Sequence, residues 1–475
     1  MRFSFSILFF LAITFSAASQ DKWDIRRCID HAKANNITVK QAQAQALLSQ
    51  INYKQARMSR IPTLNGNFNT NYQRGLNENP TTGTLESSNF IAGNMGLQAQ
   101  YNIFNWGARK YNIAANDLLA KADALGISRA QNDISLFVAN AFLQVMLRRE
   151  QIKINEVQLG QSRAQLSNTR KLVNAGSQPE LNAIQIEAQL ARDSALLLQT
   201  KALEKQALID LQASLNLDLS TPFDIAAPPV ETISVDNITD LQPEAVFAIA
   251  LKNQPSLQIT ALRIESASTQ VKAARAGMYP TLSAFGSLNS RFINASIPTL
   301  VDVQLNQPTG AIVIDNSGNR FNVLAPKAVF ESRQLALFRQ LNTNFGQSIG
   351  LSVNIPLFNQ YNTRSQWERS KVNVIQASLQ DEQERLNLQS NIYKAYQDAV
   401  ASLEIYNASV RSVEASDKAF SISQKRYDIG LLGTLDYIIT QGNLNRARIE
   451  AISNRYDYIF KMKVLEFYKA AGITL

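Results

Sequence analysis

Residues 63–72, TLNGNFNTNY, decide the fold because their side chains alternate strictly in character. Leu64, Phe68 and Tyr72 fall on one side of an extended chain, and the intervening asparagines fall on the other. This alternation predicts a β-strand with one apolar and one polar face. The pattern alone leaves open whether the apolar face meets lipid or the interior of a soluble sandwich.

The same alternation returns in three further stretches, at residues 95–103, 282–289 and 348–357. The sequence therefore predicts four strands, in hairpins at about 62–104 and 280–358. Each strand is expected to be about ten residues long, which is the length that a tilted strand needs to cross a bilayer.

Four strands are too few to close a membrane barrel, because the smallest such barrels have about eight. An open sheet edge in lipid would leave backbone groups without hydrogen-bond partners. If the strands cross a membrane, other copies of the chain must complete the barrel. Two copies would supply eight strands and three would supply twelve.

Long helices are predicted after each hairpin. Residues 108–173 contain no proline, and residues 362–428 contain neither glycine nor proline. At 1.5 Å per residue each helix is about 100 Å long. Apolar residues recur every seven positions, which indicates coiled-coil contacts. These seams are Val138, Val145, Ile152, Leu159, Leu166 and Val173, and later Ile392, Ala399, Tyr406, Val413, Phe420 and Tyr427.

Four shorter helices of about 55 Å are expected at 23–60, 180–216, 242–278 and 434–471. The second of them returns from a turn, and its small residues predict close antiparallel packing on the preceding long helix. The predicted seam is Ile184, Ala188, Ala191, Ala195, Leu198 and Ala202.

The two halves of the chain are related, which predicts a tandem repeat. The segment around Pro62 reappears around Pro280, 218 residues later, and the segment from Phe104 reappears from Phe358, 254 residues later. The second repeat therefore holds an insertion. The predicted parts are repeats at 20–241 and 242–475, tip turns at 174–180 and 429–434, a connector at 217–241, and a long extracellular loop at 293–345.

Composition excludes several classes of protein. The 475 residues include one cysteine, Cys28, and one histidine, His31, which rules out a disulfide scaffold and a zinc finger, as well as any Ser-His-Asp or Cys-His centre beyond what a single histidine could serve. No enzyme activity, cofactor or metal site is expected, and Cys28 and His31 are interpreted as part of a packed helix face. The net charge is +9, but the basic residues are dispersed, so no nucleic-acid partner is expected.

Residues 1–19 have the pattern of a secretory signal peptide, with Arg2, an apolar core and small residues before the cleavage point. Their apolar core, 3–15, is the only long apolar run without a charge. Any membrane span in the exported chain is therefore expected to be made from strands.

Several segments together resemble the TolC-type outer-membrane efflux channel family over essentially the whole mature chain. They are the start WDIRRCIDHAKANNITVKQA (23–42), the paired PTL strand starts (62–64 and 280–282), the strand ends IFN (103–105) and PLFN (356–359), and the two tip turns. The resemblance implies a mixed α and β fold. Long helices would form a periplasmic α-barrel, and a homotrimer would form a twelve-stranded β-barrel in outer-membrane lipid.

The resemblance also implies a function. The chain would be the passive exit duct of a tripartite efflux or type I secretion system. Its partners would be a periplasmic adaptor (membrane fusion) protein and an inner-membrane transporter. The alternative is a periplasmic coiled-coil adaptor or structural tether without a pore, which would have similar helices but gives no reason for the two-faced strands.

The resemblance assigns roles to residues at the tips. Family members constrict the tunnel with an aspartate six residues after the second tip glycine, which matches Asp436 here. Ile439 stands where the family archetype has a further aspartate, so an apolar constriction is expected beside one acidic ring. The alternative for Asp436 is an acid favoured by the helix dipole. Adaptor docking maps to Asn174, Ala175, Gly176, Ile429, Gly430 and Leu431.

Overall fold

The computed structural model describes residues 22–78, 85–226, 233, 235–294 and 297–470. The predicted signal peptide and part of the predicted connector lie outside the described residues. The chain divides into two compact units. One comprises the residues up to Tyr53, Ala115–Ser268 and the residues from Val372 onward, and the other comprises Lys54–Ala114 and Thr269–Lys371.

The helices confirm most of the predicted bounds. The two long helices have 67 residues each, which corresponds to about 100 Å. None of the described helices has an apolar stretch long enough to cross a membrane. The helices are α1 (Ile25–Asn35), α2 (Ile37–Met58), α3 (Ala108–Asn174), α4 (Glu180–Ser214), α5 (Pro243–Asn253), α6 (Pro255–Ala276), α7 (Leu337–Thr343), α8 (Asn362–Asp428) and α9 (Thr434–Ala470).

The helix predicted at 242–278 is wrong as a single helix, because it breaks at Gln254 into α5 and α6. Pro255 begins α6, and a proline drives the preceding residue to extended geometry, here with ψ of 122° at Gln254. Asn36 makes the equivalent break between α1 and α2, with ψ of 140°. The bounds of α1 and α2 return in α5 and α6 after 218 residues, and those of α3 return in α8 after 254.

Six strands are present in the described residues, where the sequence predicted four. Four of them form one antiparallel sheet in the order β1-β2-β3-β6, and β4 and β5 form a separate two-stranded sheet. The strands are β1 (Thr63–Glu78), β2 (Leu85–Phe104), β3 (Thr281–Ile293), β4 (Ile297–Ile314), β5 (Arg320–Arg333) and β6 (Gly346–Asn354).

Two strand predictions need correction. With 16 and 20 residues, β1 and β2 are longer than the expected ten. The segment at 293–345, expected to be a loop, instead contains β4, β5 and α7. The pairing of β4 with β5 shifts register at three places, so the sequence lacks the regular alternation by which the other four strands were found.

The register of the four-stranded sheet confirms that it has two chemically distinct faces. Leu64, Ala99, Gly286 and Ile349 lie opposite one another across all four strands. The next row consists only of polar residues, in which the hydroxyls of Ser287 and Ser348 are 2.8 Å apart. On the apolar face Leu64 is 70% and Ile349 92% exposed, so nothing among the described residues covers them.

A side-chain cap completes the edge of β3 where β6 ends. The Gln340 side chain of α7 donates to the Ile293 carbonyl oxygen at 2.8 Å and accepts from the Ile293 amide at 2.9 Å. Asn344 donates to the carbonyl oxygen of Arg291 at 2.9 Å. Amides of α7 and its flank thus take the place of a neighbouring strand.

The predicted seam of α4 is wrong. All six of its predicted residues are exposed, and the buried side of the helix is the opposite one. Buried polar pairs explain the error, because the Asn155 amide donates to Thr200 at 2.9 Å and the Ser162 hydroxyl to Asp193 at 2.5 Å. Such groups are tolerated inside when they are hydrogen-bonded. The buried residues of α4 nearer the tip are Ala183, Ile186, Asp193, Leu197 and Thr200.

The seams of both long helices are confirmed, because none of their predicted residues is exposed. Every predicted seam residue of α8 is buried or half-buried. On α3, Val138, Val145 and Leu166 are buried, while Ile152, Leu159 and Val173 are half-buried. The buried positions between them are Gln151, Asn155, Gln158 and Ser162.

An ion-pair cluster holds the start of the connector against the helices. Arg149 pairs with Glu204 and Asp224 and donates to the carbonyl oxygen of Ile225. Burial is the largest influence on the pKa of Asp224 and would raise it. Hydrogen bonds from Arg149 and Lys22 outweigh burial and hold that pKa below its ordinary value.

Candidate functional site

Glycines in the left-handed conformation build both predicted tip turns. After α3, Gly176 has φ of 73°, and the amide of Ser177 donates to the Leu172 carbonyl oxygen at 2.8 Å. After α8, Gly430 has φ of 78°, and the amide of Leu431 donates to the Arg426 carbonyl oxygen at 2.7 Å. Both are Schellman motifs, which satisfy the last carbonyls of a helix. A glycine cap thus begins each of the two predicted tip turns.

All six residues predicted for docking are exposed on these turns. The first turn presents Asn174, Ala175 and Gly176, which are small or polar. The second turn presents Ile429 and Leu431, which are 69% and 66% exposed, on either side of Gly430. The second turn is thus the more apolar of the two.

An aromatic cluster joins the two turn regions within one chain. The rings of Tyr427 and Tyr437 stack with centroids 4.7 Å apart, and Phe420 packs on Tyr437 at 5.7 Å. The hydroxyl of Tyr427 lies 3.4 Å from the hydroxyls of both Thr169 and Thr434. This cluster fixes the end of α3 against the start of α9.

Burial, reinforced by the nearby charge of Asp428 and by Tyr427, raises the pKa of Tyr437 to about 12. Tyr437 therefore stays neutral at physiological pH and acts as a packing group. Tyr437 is not among the predicted site residues, because its contact with Tyr427 depends on the geometry of the turn between α8 and α9.

Asp436 and Ile439 lie on the side of α9 that faces away from this cluster. Both are exposed, whereas the intervening Tyr437 and Ile438 are buried. The Asp436 carboxylate forms no ion pair with any described residue, and it sits in the first turn of α9. The structure thus brings the two predicted constriction residues together on one exposed surface.

Cys28 and His31 have separate packing roles. Cys28 is fully buried, and burial, followed by the charge of Asp24, raises the pKa of its thiol to about 12. The His31 ring packs edge-on against Trp23, with centroids 5.1 Å apart. Over the described part of the chain, no group of three or more His, Cys, Asp or Glu residues is arranged to hold a metal ion.

Comparison with known proteins identifies the family. The outer membrane efflux protein family matches residues 28–217 and 246–462, one stretch in each half of the chain. The chain belongs to the outer membrane efflux protein family. The resemblance found in the sequence is thereby confirmed, and the unmatched segment between the two stretches contains most of the predicted connector.

Two curated relatives and one solved structure illustrate this membership. The pyoverdine export outer membrane protein OpmQ of Pseudomonas aeruginosa is 24% identical over 447 residues, which cover 91% of this chain and 80% of OpmQ. TolC of Escherichia coli is 22% identical over 236 residues, 49% of this chain and 41% of TolC. The structure of CusC has a TM-score of 0.73 at 16% identity, covering 95% of this chain and 92% of CusC.

These comparisons also indicate whether the chain is an enzyme. Members of the outer membrane efflux family such as OpmQ and TolC are outer-membrane and export proteins by name, and none is named as an enzyme. The expectation that this chain is not an enzyme is confirmed by that membership. The mixed α and β fold is shared with CusC.

The left-handed geometry of the second turn generates a stability prediction. We expect Gly430→Ala to lower the free energy of unfolding by about 1 kcal/mol, because a Cβ is disfavoured at positive φ. Gly160→Ala is the matched control: Gly160 lies inside α3 with open space around it, so alanine should raise stability by roughly 0.5–1 kcal/mol. Chemical denaturation, followed by circular dichroism, measures the free energy of unfolding of both variants. Equal effects of the two substitutions would contradict the assignment of Gly430 as a left-handed helix cap.

Proposed function

We propose that three copies of this chain form an outer-membrane channel, the passive exit duct of a tripartite efflux or type I secretion system. The observation that carries the proposal is the four-stranded sheet, which has one exposed apolar face and two outer strands with a single neighbour each. A sheet of this kind is incomplete in lipid.

Closure by identical sheets satisfies this requirement. Within the described residues, β1 pairs only with β2, and β6 pairs only with β3. Pairing of β1 with β6 of the next copy would join the sheets edge to edge, and three sheets of four strands would give a twelve-stranded barrel. The family resemblance favours three copies over two. The apolar face would then meet outer-membrane lipid, and the asparagine-rich face would line a water-filled lumen.

The helices support the same assembly independently. The exposed stripe on α4, from Ile184 to Ala202, has the alternating four- and three-residue spacing of a coiled-coil seam and lies opposite the buried side. A second exposed stripe with strict seven-residue spacing follows α8 through Val372, Leu379, Leu386 and Tyr393. Apolar seams without a partner in the same chain are what neighbouring protomers of a helical tunnel would cover.

We propose further that a signal peptide at 1–19 is cleaved. The mature chain would then be a tandem repeat, with one repeat at 20–241 and the other at 242–475. The equal offsets between the helix bounds of the two halves support it. The helices would extend into the periplasm as an α-barrel, with the strands in the outer membrane and the segment 293–345 outside the cell.

The two turns are proposed to dock a periplasmic adaptor protein, which links the channel to an inner-membrane transporter. Their six exposed residues support this role, as do the apolar side chains of Ile429 and Leu431. The exposed pair Asp436 and Ile439 is proposed to constrict the closed tunnel, with three carboxylates forming one ring. Conduction needs no cofactor, since the chain would pass its cargo without covalent chemistry.

The seam on α4 predicts how the assembly can be broken. We expect Ala195→Glu to weaken association by more than about tenfold, because burying an unpaired carboxylate costs several kcal/mol. Ser194→Glu adds the same charge next to it in the sequence but off the stripe, and should leave the assembly intact. Sedimentation in detergent measures association, and circular dichroism checks that both variants fold. An Ala195→Glu assembly as stable as the unmodified one would contradict the proposed interface.

The constriction predicts a change in conductance. We expect Asp436→Ala to raise single-channel conductance in planar bilayers several-fold, because it removes the charged side chain from the narrowest ring. Glu450→Ala is the control, since Glu450 is exposed on the same helix two heptads further from the turn. If Asp436→Ala and Glu450→Ala both conduct like the unmodified channel, Asp436 is not part of the constriction.

A further inference from the structure

The four-stranded sheet joins the helices at one of its two ends. There α2 leads into β1, β2 leads into α3, α6 leads into β3, and β6 leads into α8. The adjoining helix ends belong to the same compact unit as the sheet. We call this region the helical end of the sheet, and it comprises residues 54–62, 105–111, 269–280 and 359–371.

The helical end carries a large excess of positive charge. Its four segments contain ten lysines and arginines but only one acidic residue, Glu368. Nine of the ten basic side chains are exposed, and the tenth, Arg109, is half-buried. The segments are far apart in the sequence, so the basic residues look dispersed until the fold brings them to one end of the sheet. A surface with such an excess attracts anionic partners.

The uncharged part of the sheet has about the height of the apolar layer of a membrane. In β1 no charged residue occurs from Thr63 to Gln73, and Arg74 follows. These eleven residues rise about 3.3 Å each, so a strand tilted by about 40° gains about 28 Å in height. The apolar band around outer-membrane barrels is about 25 Å tall. With the apolar face in lipid, the helical end therefore lies at the level of the headgroups on one side of the membrane.

Arg109 is held on the apolar side of the sheet at this level. Tyr101 shares a face with Leu64, because Leu64 pairs with Ala99, two residues before Tyr101 on the same strand. The Arg109 guanidinium lies over the Tyr101 ring, 4.9 Å from its centroid, and donates to the Tyr101 hydroxyl at 3.1 Å. It also donates to the carbonyl oxygen of Asn102. No carboxylate of the described residues pairs with this guanidinium, which leaves three of its five N–H groups for another acceptor.

An exposed aromatic cluster lies at the same end of the sheet. The Trp106 ring packs against Phe104 and Tyr279, with centroids 5.2 Å and 5.1 Å apart, and its Nε1 donates to the carbonyl oxygen of Pro280 at 2.8 Å. All three rings remain 38% to 50% exposed. Tryptophan and tyrosine concentrate where a membrane meets water, because one part of the ring contacts acyl chains and the polar part contacts headgroups. The cluster therefore favours a lipid, rather than a soluble anion, as the partner of the positive charge.

We propose that Arg109 and the basic surface around it bind the phosphate of an anionic phospholipid in the periplasmic leaflet of the outer membrane. This inference rests on the proposed function, in which the apolar face meets lipid and the helices extend into the periplasm. A guanidinium can donate to two phosphate oxygens at once. The excess of positive charge favours headgroups with a net negative charge over zwitterionic ones. A trimer would carry three such sites around its barrel.

Titration with defined lipids tests the site. The mature protein is purified in a neutral detergent, freed of bound lipid, and titrated with phosphatidylglycerol or with phosphatidylcholine. Native mass spectrometry counts the chains and the bound lipids and gives a Kd for each lipid. We expect the unmodified protein to bind the first three phosphatidylglycerol molecules per trimer more tightly than phosphatidylcholine, by at least about fivefold.

Three variants locate the binding. We expect Arg109→Gln to weaken binding of phosphatidylglycerol about fivefold, which is the contribution of one basic residue at an anionic lipid surface. Arg109→Lys keeps the charge but not the planar pair of donors, so its loss should be smaller. Arg291→Gln is the matched control, because Arg291 pairs with Asn94 on the asparagine-rich face of the same sheet. It removes the same charge and should leave lipid binding unchanged.

Several results would overturn the lipid site and leave the proposed channel standing. They are trimers without a preference for phosphatidylglycerol, Arg109→Gln trimers that bind it as tightly as the unmodified protein, and equal losses in Arg109→Gln and Arg291→Gln. Displacement of the lipid by millimolar inorganic phosphate would also overturn it, by showing a site for a soluble anion. If Arg109→Gln does not assemble, the lipid preference of the unmodified protein and the smaller loss in Arg109→Lys decide. Absence of the trimer in the unmodified protein would overturn the proposed function as well as the lipid site.

Discussion

The hydrogen-bonding requirement of strand edges is the constraint on which the rest of the structure depends. Every backbone amide and carbonyl removed from water needs a partner, and the sheet supplies them between β1 and β2, β2 and β3, and β3 and β6. Where β6 ends, Gln340 and Asn344 take over the exposed groups of β3. The outer edges of β1 and β6 have no such cap among the described residues, which is why the account requires neighbouring copies.

The helices also have surfaces that their own chain leaves uncovered, and in the helices these surfaces consist of side chains. A helix that packed only within its own chain would have one side for packing, but α4 has a buried side and, opposite it, an exposed apolar stripe. Inside the chain it uses hydrogen-bonded polar pairs such as Asn155 with Thr200, and outside it presents small apolar residues. Polar pairs inside a seam fix which residues meet, while small residues on the other side allow close approach of another helix. Both features agree with a wall built from several copies.

The sequence predicts where helices and strands lie better than it predicts which of their faces pack together. The predicted outer bounds of the helices agree with the structure to within about two residues, as at Gly176 and Gly430, but the break before Pro255 is not predicted. The two faces of the sheet followed from strict alternation. The β4–β5 hairpin was missed because Pro308, Pro326 and the bulges break that alternation. The side of α4 that packs internally was misassigned because Asp193 and Thr200 look like surface residues until their hydrogen-bond partners are known.

The number of chains in one particle tests the central claim most directly. Native mass spectrometry of the mature protein, extracted from membranes and released from detergent micelles, counts them. The account predicts a particle of three chains that loses solubility when detergent is removed. A single chain that stays dispersed in detergent-free buffer would show that the four-stranded sheet needs no sister copy, and would contradict the account.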